Sequence, residues 1–152
     1  FTTSAEDFAQ VADLFHDCCK DLCATGAAMI TSPHFRRFRL EKGELVTLVD
    51  FVEDLAPQVF PEKNLREGVI LDPAEEILVN KVCAIVSRSE PRDFFDLHFL
   101  STQGFDADEG LRLAPQKDGG VNAETLAMVL QSLPWDQFRI PGLETSETAR
   151  FL

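Results

Sequence analysis

Five residues in the middle of the chain have the types and spacing to do chemistry: Lys81, Arg88, Arg92, Asp93 and Asp96. A separation of seven is about two helical turns, so Lys81 and Arg88 fall on one face of a helix. Asp93 and Asp96, three apart, share a face of the next helix, and Arg92 and Asp96 are spaced for an i,i+4 pair. Lysine is a compact charge suited to a phosphate, and arginine is a forked donor for one. Carboxylates beside them can hold Mg²⁺ or orient a hydroxyl nucleophile. The same letters also read as a helix-hairpin salt-bridge network, with Arg88 and Arg92 pairing Asp93 and Asp96. On that reading the chain is a non-catalytic helical protein-interaction module.

Two helices joined by a proline break have to position these groups. Asp72-Pro73 has the form of a helix start, Asp as N-cap and Pro at the first helical position. The helix body is expected to run to about residue 88, with Ile77, Leu78, Val82, Ile85 and Val86 inward. Ser89-Glu90-Pro91 breaks it, and a second helix follows from about Pro91 to its end at Gly104. Shorter helices are expected over 106–113 and 122–133. Upstream, Thr3 with Glu6 forms a capping-box pattern for a helix over 4–24, with Phe8, Val11, Phe15, Cys18, Cys19 and Leu22 at helical spacing and Gly26 ending it. The next stretch is strand-like: 27–31, then 35–40 and 44–52 as an antiparallel hairpin about Lys42-Gly43. Residues 57–64 read as a loop and 68–71 as a short strand. The tail over 134–152 is weakly patterned, and Trp135 is expected to pack a helix end.

Asp50 is the anomaly of the hairpin. It interrupts Leu-Val-Thr-Leu-Val-Asp50-Phe-Val, and a carboxylate in so apolar a run has to be paired, metal-bound or at a strand end. Arg36, Arg37 and Arg39 interleave with Phe35 and Phe38. Alternation sets Arg37 and Arg39 on one strand face and Arg36 with Phe38 on the other. They form either a solvated face or a path for an RNA acceptor or triphosphate. His16, His34 and His98 lack metal-ligand spacing, and Cys18, Cys19, Cys23 and Cys83 form no CxxC pair. Reduced thiols in a cytoplasmic protein are the expectation.

Composition sets the bounds. With 152 residues, 45% hydrophobic and 26% charged, the chain is long enough for a core of its own. Fourteen Lys+Arg against 26 Asp+Glu give a net charge of −12, which disfavours non-specific binding to nucleic acid or anionic membrane. One nucleotide held by local cations is not excluded. No apolar run approaches the roughly 20 residues of a membrane span. The class expected is α+β: a small mixed or antiparallel sheet, an N-terminal helix and a C-terminal helical bundle.

Lys81, Arg88, Arg92-Asp93 and Asp96, with Asp50 on a preceding strand, resemble the C-terminal signature of the nucleotidyl transferase AbiEii/AbiGii toxin family, in the polymerase-β-like nucleotidyltransferase superfamily. The resemblance covers about residues 44–100, and 1–40 is compatible with what precedes it. It implies transfer of a nucleotidyl group from an NTP to an RNA or protein acceptor, by the toxin of a toxin–antitoxin or abortive-infection system, with an antitoxin as partner. It further implies Mg²⁺ as cofactor, Asp50 as a metal-site carboxylate, and Lys81, Arg88 and Arg92 as nucleotide-binding residues. Lys81, Asp93 and Asp96 are implied as catalytic. Residues 1–72 would be the remnant of the α/β core, and 73–152 a helical region packed as one unit with it. The family's Gly-Gly or Gly-Ser turn followed by Asp-x-Asp does not occur. Asp106-Ala-Asp108 has the letters but sits at a helix start. The chain opens on Phe1 without Met, where the pair would just have ended. The expectation is a truncated transferase, inactive by itself.

Overall fold

In the computed structural model, residues 5–135 are described. They form a mixed helix-and-strand chain that divides into two compact units, Phe1–Leu55 and Ala56–Leu152.

In the first unit α1 (Ala5–Asp21) covers one face of an antiparallel meander of β1 (Thr25–Thr31), β2 (Phe35–Lys42) and β3 (Leu45–Val52). Phe8, Val11, Phe15 and Cys19 recur every three or four residues and are all buried. That spacing makes one apolar stripe, and Phe38 of β2 stacks on Phe15 with ring centroids 4.3 Å apart. Leu40, Val49 and Phe51 complete this core. The Thr3 cap expected for α1 lies outside the described residues. The end of α1 differs from expectation. Cys23, not Gly26, takes the left-handed position (φ 50). Ala24 N–H donates to Cys19 O at 2.8 Å and Cys23 N–H to Lys20 O at 3.0 Å, which is the Schellman arrangement. Gly26 lies in β1, and its need for glycine is spatial. A Cβ there would sit 2.5 Å from Phe15 Cε1 and 2.6 Å from Cys19 Sγ, so the absent side chain is what brings the strand against the helix.

The second unit opens with a hairpin of β4 (Asn64–Arg66) and β5 (Val69–Leu71). Its two turn residues, Glu67 (φ 52) and Gly68 (φ 81), both have positive φ, as a type I′ turn requires. The loop expected over 57–64 therefore gives way to a strand at Asn64. The helical part is α2 (Ala74–Arg88), α3 (Pro91–Thr102), α4 (Ala107–Leu113) with a 3₁₀ turn at Ala114–Gln116, and α5 (Ala123–Ser132). Helix α2 packs against α3, α4 and α5. Val79 and Val82 meet Ala114 and Val121 on one side. Ile85 meets Phe94, bordered by Leu126, Leu130 and Trp135, on the other. Trp135 Nε1–H donates to Leu130 O at 2.9 Å, closing the end of α5 as expected.

Two details of this unit correct the sequence reading and a third agrees with it. Pro73 is itself the N-cap of α2, without a side-chain cap, and Asp72 is ion-paired with Lys63. The inward stripe of α2 is Glu76, Leu78, Val79, Val82 and Ile85, while Ile77 is exposed. The helix is turned so that a glutamate replaces an isoleucine inside. Asp106 does cap α4, accepting from Asp108 N–H at 3.0 Å, which accounts for the Asp-x-Asp letters there.

Candidate active site

The α2–α3 corner places the charged cluster. Ser89, left-handed at φ 53, stops α2, and its hydroxyl donates to Ile85 O at 2.8 Å. Pro91 then starts α3 at its first position, where a missing N–H costs nothing. Arg88 is thus the last residue of one helix and Asp93 lies in the first turn of the next, where the helix dipole also favours a carboxylate.

Arg88 closes the corner with a two-pronged contact. Its Nε donates to Asp93 Oδ2 and its Nη2 to Asp93 Oδ1, both at 2.7 Å. Lys81, two turns back on α2, donates from Nζ to the same Oδ1 at 3.1 Å and also pairs with Asp96. Asp93 therefore holds three hydrogen bonds from two cations and is fully buried, at 0% side-chain exposure. The other three members reach solvent: Lys81 is 21% exposed, Asp96 41% and Arg88 45%. Burial alone would push the Asp93 carboxyl up, but the hydrogen bonds from Arg88 and Lys81 outweigh it and hold it below its ordinary value. Asp93 in turn raises the Arg88 guanidinium further.

The structure thus brings Lys81, Arg88, Asp93 and Asp96 together. It does not bring in Arg92, which pairs with Glu90 at 2.8 Å instead of the expected Asp96. Lys81 has taken the partner that i,i+4 spacing assigned to Arg92.

Asp50 belongs to the first unit. It sits opposite Arg37 in the β2–β3 register and accepts from Arg37 Nε and Nη2 through its two oxygens, each at 2.7 Å. Arg39 pairs with Glu41. Arg36 lies on the other face, over the Phe8 ring at 4.9 Å, as strand alternation requires. Pairing answers the chemical need of a carboxylate in that apolar run, and it leaves Asp50 in no coordinating group. Among the described residues no three His, Cys, Asp or Glu side chains are grouped to hold a metal ion. The four cysteines are free thiols, and no helix among the described residues is long and apolar enough to cross a membrane.

Sequence reasoning missed two polar anchors. Glu76 is buried, pairs with the equally buried Lys117, and accepts the N–H groups of Val59 and Phe60 at 3.0 and 2.8 Å. The available signal was a glutamate three residues before Val79 on an apolar stripe. Glu53 is the second. It is buried after β3 and bonded to His34 Nδ1 at 2.9 Å, across a gap of nineteen residues.

The fold is α+β, with the charged corner at the junction of α2 and α3. Residues 67–148, more than half of the chain, match the family described as "Nucleotidyl transferase AbiEii toxin, Type IV TA system", and the chain belongs to that family. No curated protein and no solved structure matches it.

Proposed function

We propose that this chain supplies the phosphate-holding corner of a nucleotidyl-transferring toxin from a toxin–antitoxin system. The observation that carries the reading is the convergence of Lys81 and Arg88 on one buried carboxylate, with part of each cation still open to solvent, inside the region that matches the family. In the reaction, an acceptor hydroxyl oxygen on RNA or protein bonds to the α-phosphorus of an NTP. The bond to the bridging oxygen breaks, pyrophosphate leaves, and the hydroxyl proton passes to solvent or a base. Lys81 and Arg88 face the triphosphate oxygens and offset their charge, which is the electrostatic part of such catalysis. Arg92, next to Asp93 on α3 and 59% exposed, is the supporting cation at the rim. Asp93 positions both cations, and Asp96 positions Lys81 or the acceptor. The family generally uses Mg²⁺, but no step is routed through it, since the described residues form no metal group. The chain by itself is inactive in transfer, because it lacks an Asp-x-Asp pair following a Gly-Gly or Gly-Ser turn. A cognate antitoxin is the protein partner of the system, and the cytoplasm its place.

The interaction-module reading keeps one observation in its favour. The four clustered charges sum to zero, as a purely structural network would. Binding decides between the two. Equilibrium dialysis with radiolabelled NTPs should show retention by the chain that is lost in Lys81→Gln. Equal retention by both proteins refutes the phosphate role. Mg²⁺-dependent label transfer to RNA or protein by this chain alone refutes the claim of inactivity.

A further inference from the structure

The two carboxylates that hold Lys81 are unlike in every physical respect, and the difference separates their roles. Asp93 has no exposure, three hydrogen bonds and a position in the first turn of α3. Removing it from its cations would leave a bare charge in the interior, so it stays where it is. Asp96 is 41% exposed and, among the described residues, ion-paired to Lys81 alone. An exposed carboxylate can leave one cation for water at little cost. Among the described residues, Lys81 is the cation ion-paired with both.

We propose that Asp96 is a displaceable counter-ion: it occupies the Lys81 ammonium until a polyphosphate arrives, and then swings to solvent while Asp93 keeps Lys81 and Arg88 in place. The inference rests on the proposed phosphate role of Lys81 and deepens it by assigning the exchange. With Asp96 in place the corner is neutral and attracts no anion. With Asp96 displaced, Lys81 and Arg88 against Asp93 alone leave one net positive charge, on a chain whose overall charge is −12. The exchange therefore discriminates for multiply charged anions, which alone can compete with a tethered carboxylate for the same ammonium. A triphosphate meets that condition and a monoanion does not. Asp93 is a positioning residue on this account, and Asp96 sets the affinity threshold.

Inorganic tripolyphosphate is the probe, titrated calorimetrically against the whole chain, Lys81→Gln and Asp96→Asn. The amide of Asp96→Asn keeps the size of the side chain and removes its charge. The expected result is binding by the parent chain, marked weakening in Lys81→Gln, and binding about two- to fivefold tighter in Asp96→Asn, the factor an exposed ion pair is worth. In ¹³C spectra, the Asp96 carboxyl resonance should shift on saturation while that of Asp93 stays within line width. Binding by the parent that depends on Lys81 but is equal or weaker in Asp96→Asn overturns the displacement and leaves the phosphate role standing. Binding that is absent, or indifferent to Lys81→Gln, overturns both.

Discussion

Replacing Asp93 by Asn tests whether the corner is held as described. The carboxylate receives three hydrogen bonds from cations, and such bonds contribute about 1.5–3 kcal/mol each in isolation. They do not add in full. Arg88 is nearly half exposed and can rehydrate, and Lys81 keeps Asp96. The loss therefore falls at the low end of the range for breaking a buried pair, about 3 kcal/mol. For a chain of this length that is a drop in Tm of about 6–12 °C, readable by calorimetry or urea titration. Because Asp93 is held below its ordinary pKa, the unfolded chain takes up the proton first as the pH falls. The contribution is therefore complete above about pH 5 and drains away below about pH 4. The stability gap between the parent chain and Asp93→Asn should close in that acid window and stay open at neutral pH. A loss below about 1 kcal/mol at pH 7, the scale of an exposed pair, would refute the reasoning. So would a gap that does not change with pH, since a packing defect has no proton to exchange.

Two further substitutions test the anchors of each unit. Glu76→Gln should cost about 3–5 kcal/mol by urea titration, because it strands buried Lys117, and protection of the Val59 and Phe60 amides from hydrogen exchange should fall with it. Gly26→Ala should cost about 1–3 kcal/mol, since the new Cβ overlaps Phe15 and Cys19. Tm unchanged in that variant would mean that α1 and β1 do not approach as closely as described.

The legible parts of the fold were those with a local cause. The stripe Phe8, Val11 and Phe15 is a helix period, and the alternation that set Arg37 apart from Phe38 is a strand period, so α1 and the β2–β3 hairpin follow from spacing. The illegible parts were set by partners distant in sequence. Gly26 looked like a helix stop because glycine often is one, yet its reason is the Phe15 ring eleven residues earlier. Nothing local marks Glu76 as buried, since its partner Lys117 lies forty-one residues away. The phase of α2 is tied to that pair, which is why Val79 and not Ile77 faces inward. At the charged corner four of the five members and the Arg88–Asp93 pair were legible, and the partners of Arg92 and Asp96 were not. The i,i+4 rule gave Arg92 to Asp96, whereas the turn at Ser89 lets Lys81 reach across from α2.

That turn also accounts for the spacing itself. Arg88 can grip Asp93 with both prongs only if a left-handed residue ends α2 directly after it and α3 begins within two residues more, which Ser89 and Pro91 provide. Lys81, two turns back on α2, brings its unforked ammonium to the same carboxylate. A salt bridge alone would tolerate many other separations. The intervals in Lys81, Arg88, Asp93 and Asp96 are therefore a record of one backbone corner, with Asp93 as its fixed point. What that corner leaves over for chemistry is the solvent side of Lys81 and Arg88 and the part-exposed charge of Asp96. Substitutions at Asp93 should accordingly show first in stability, and substitutions at Lys81 and Asp96 first in anion binding, and the order in which the two properties fail separates scaffold from site.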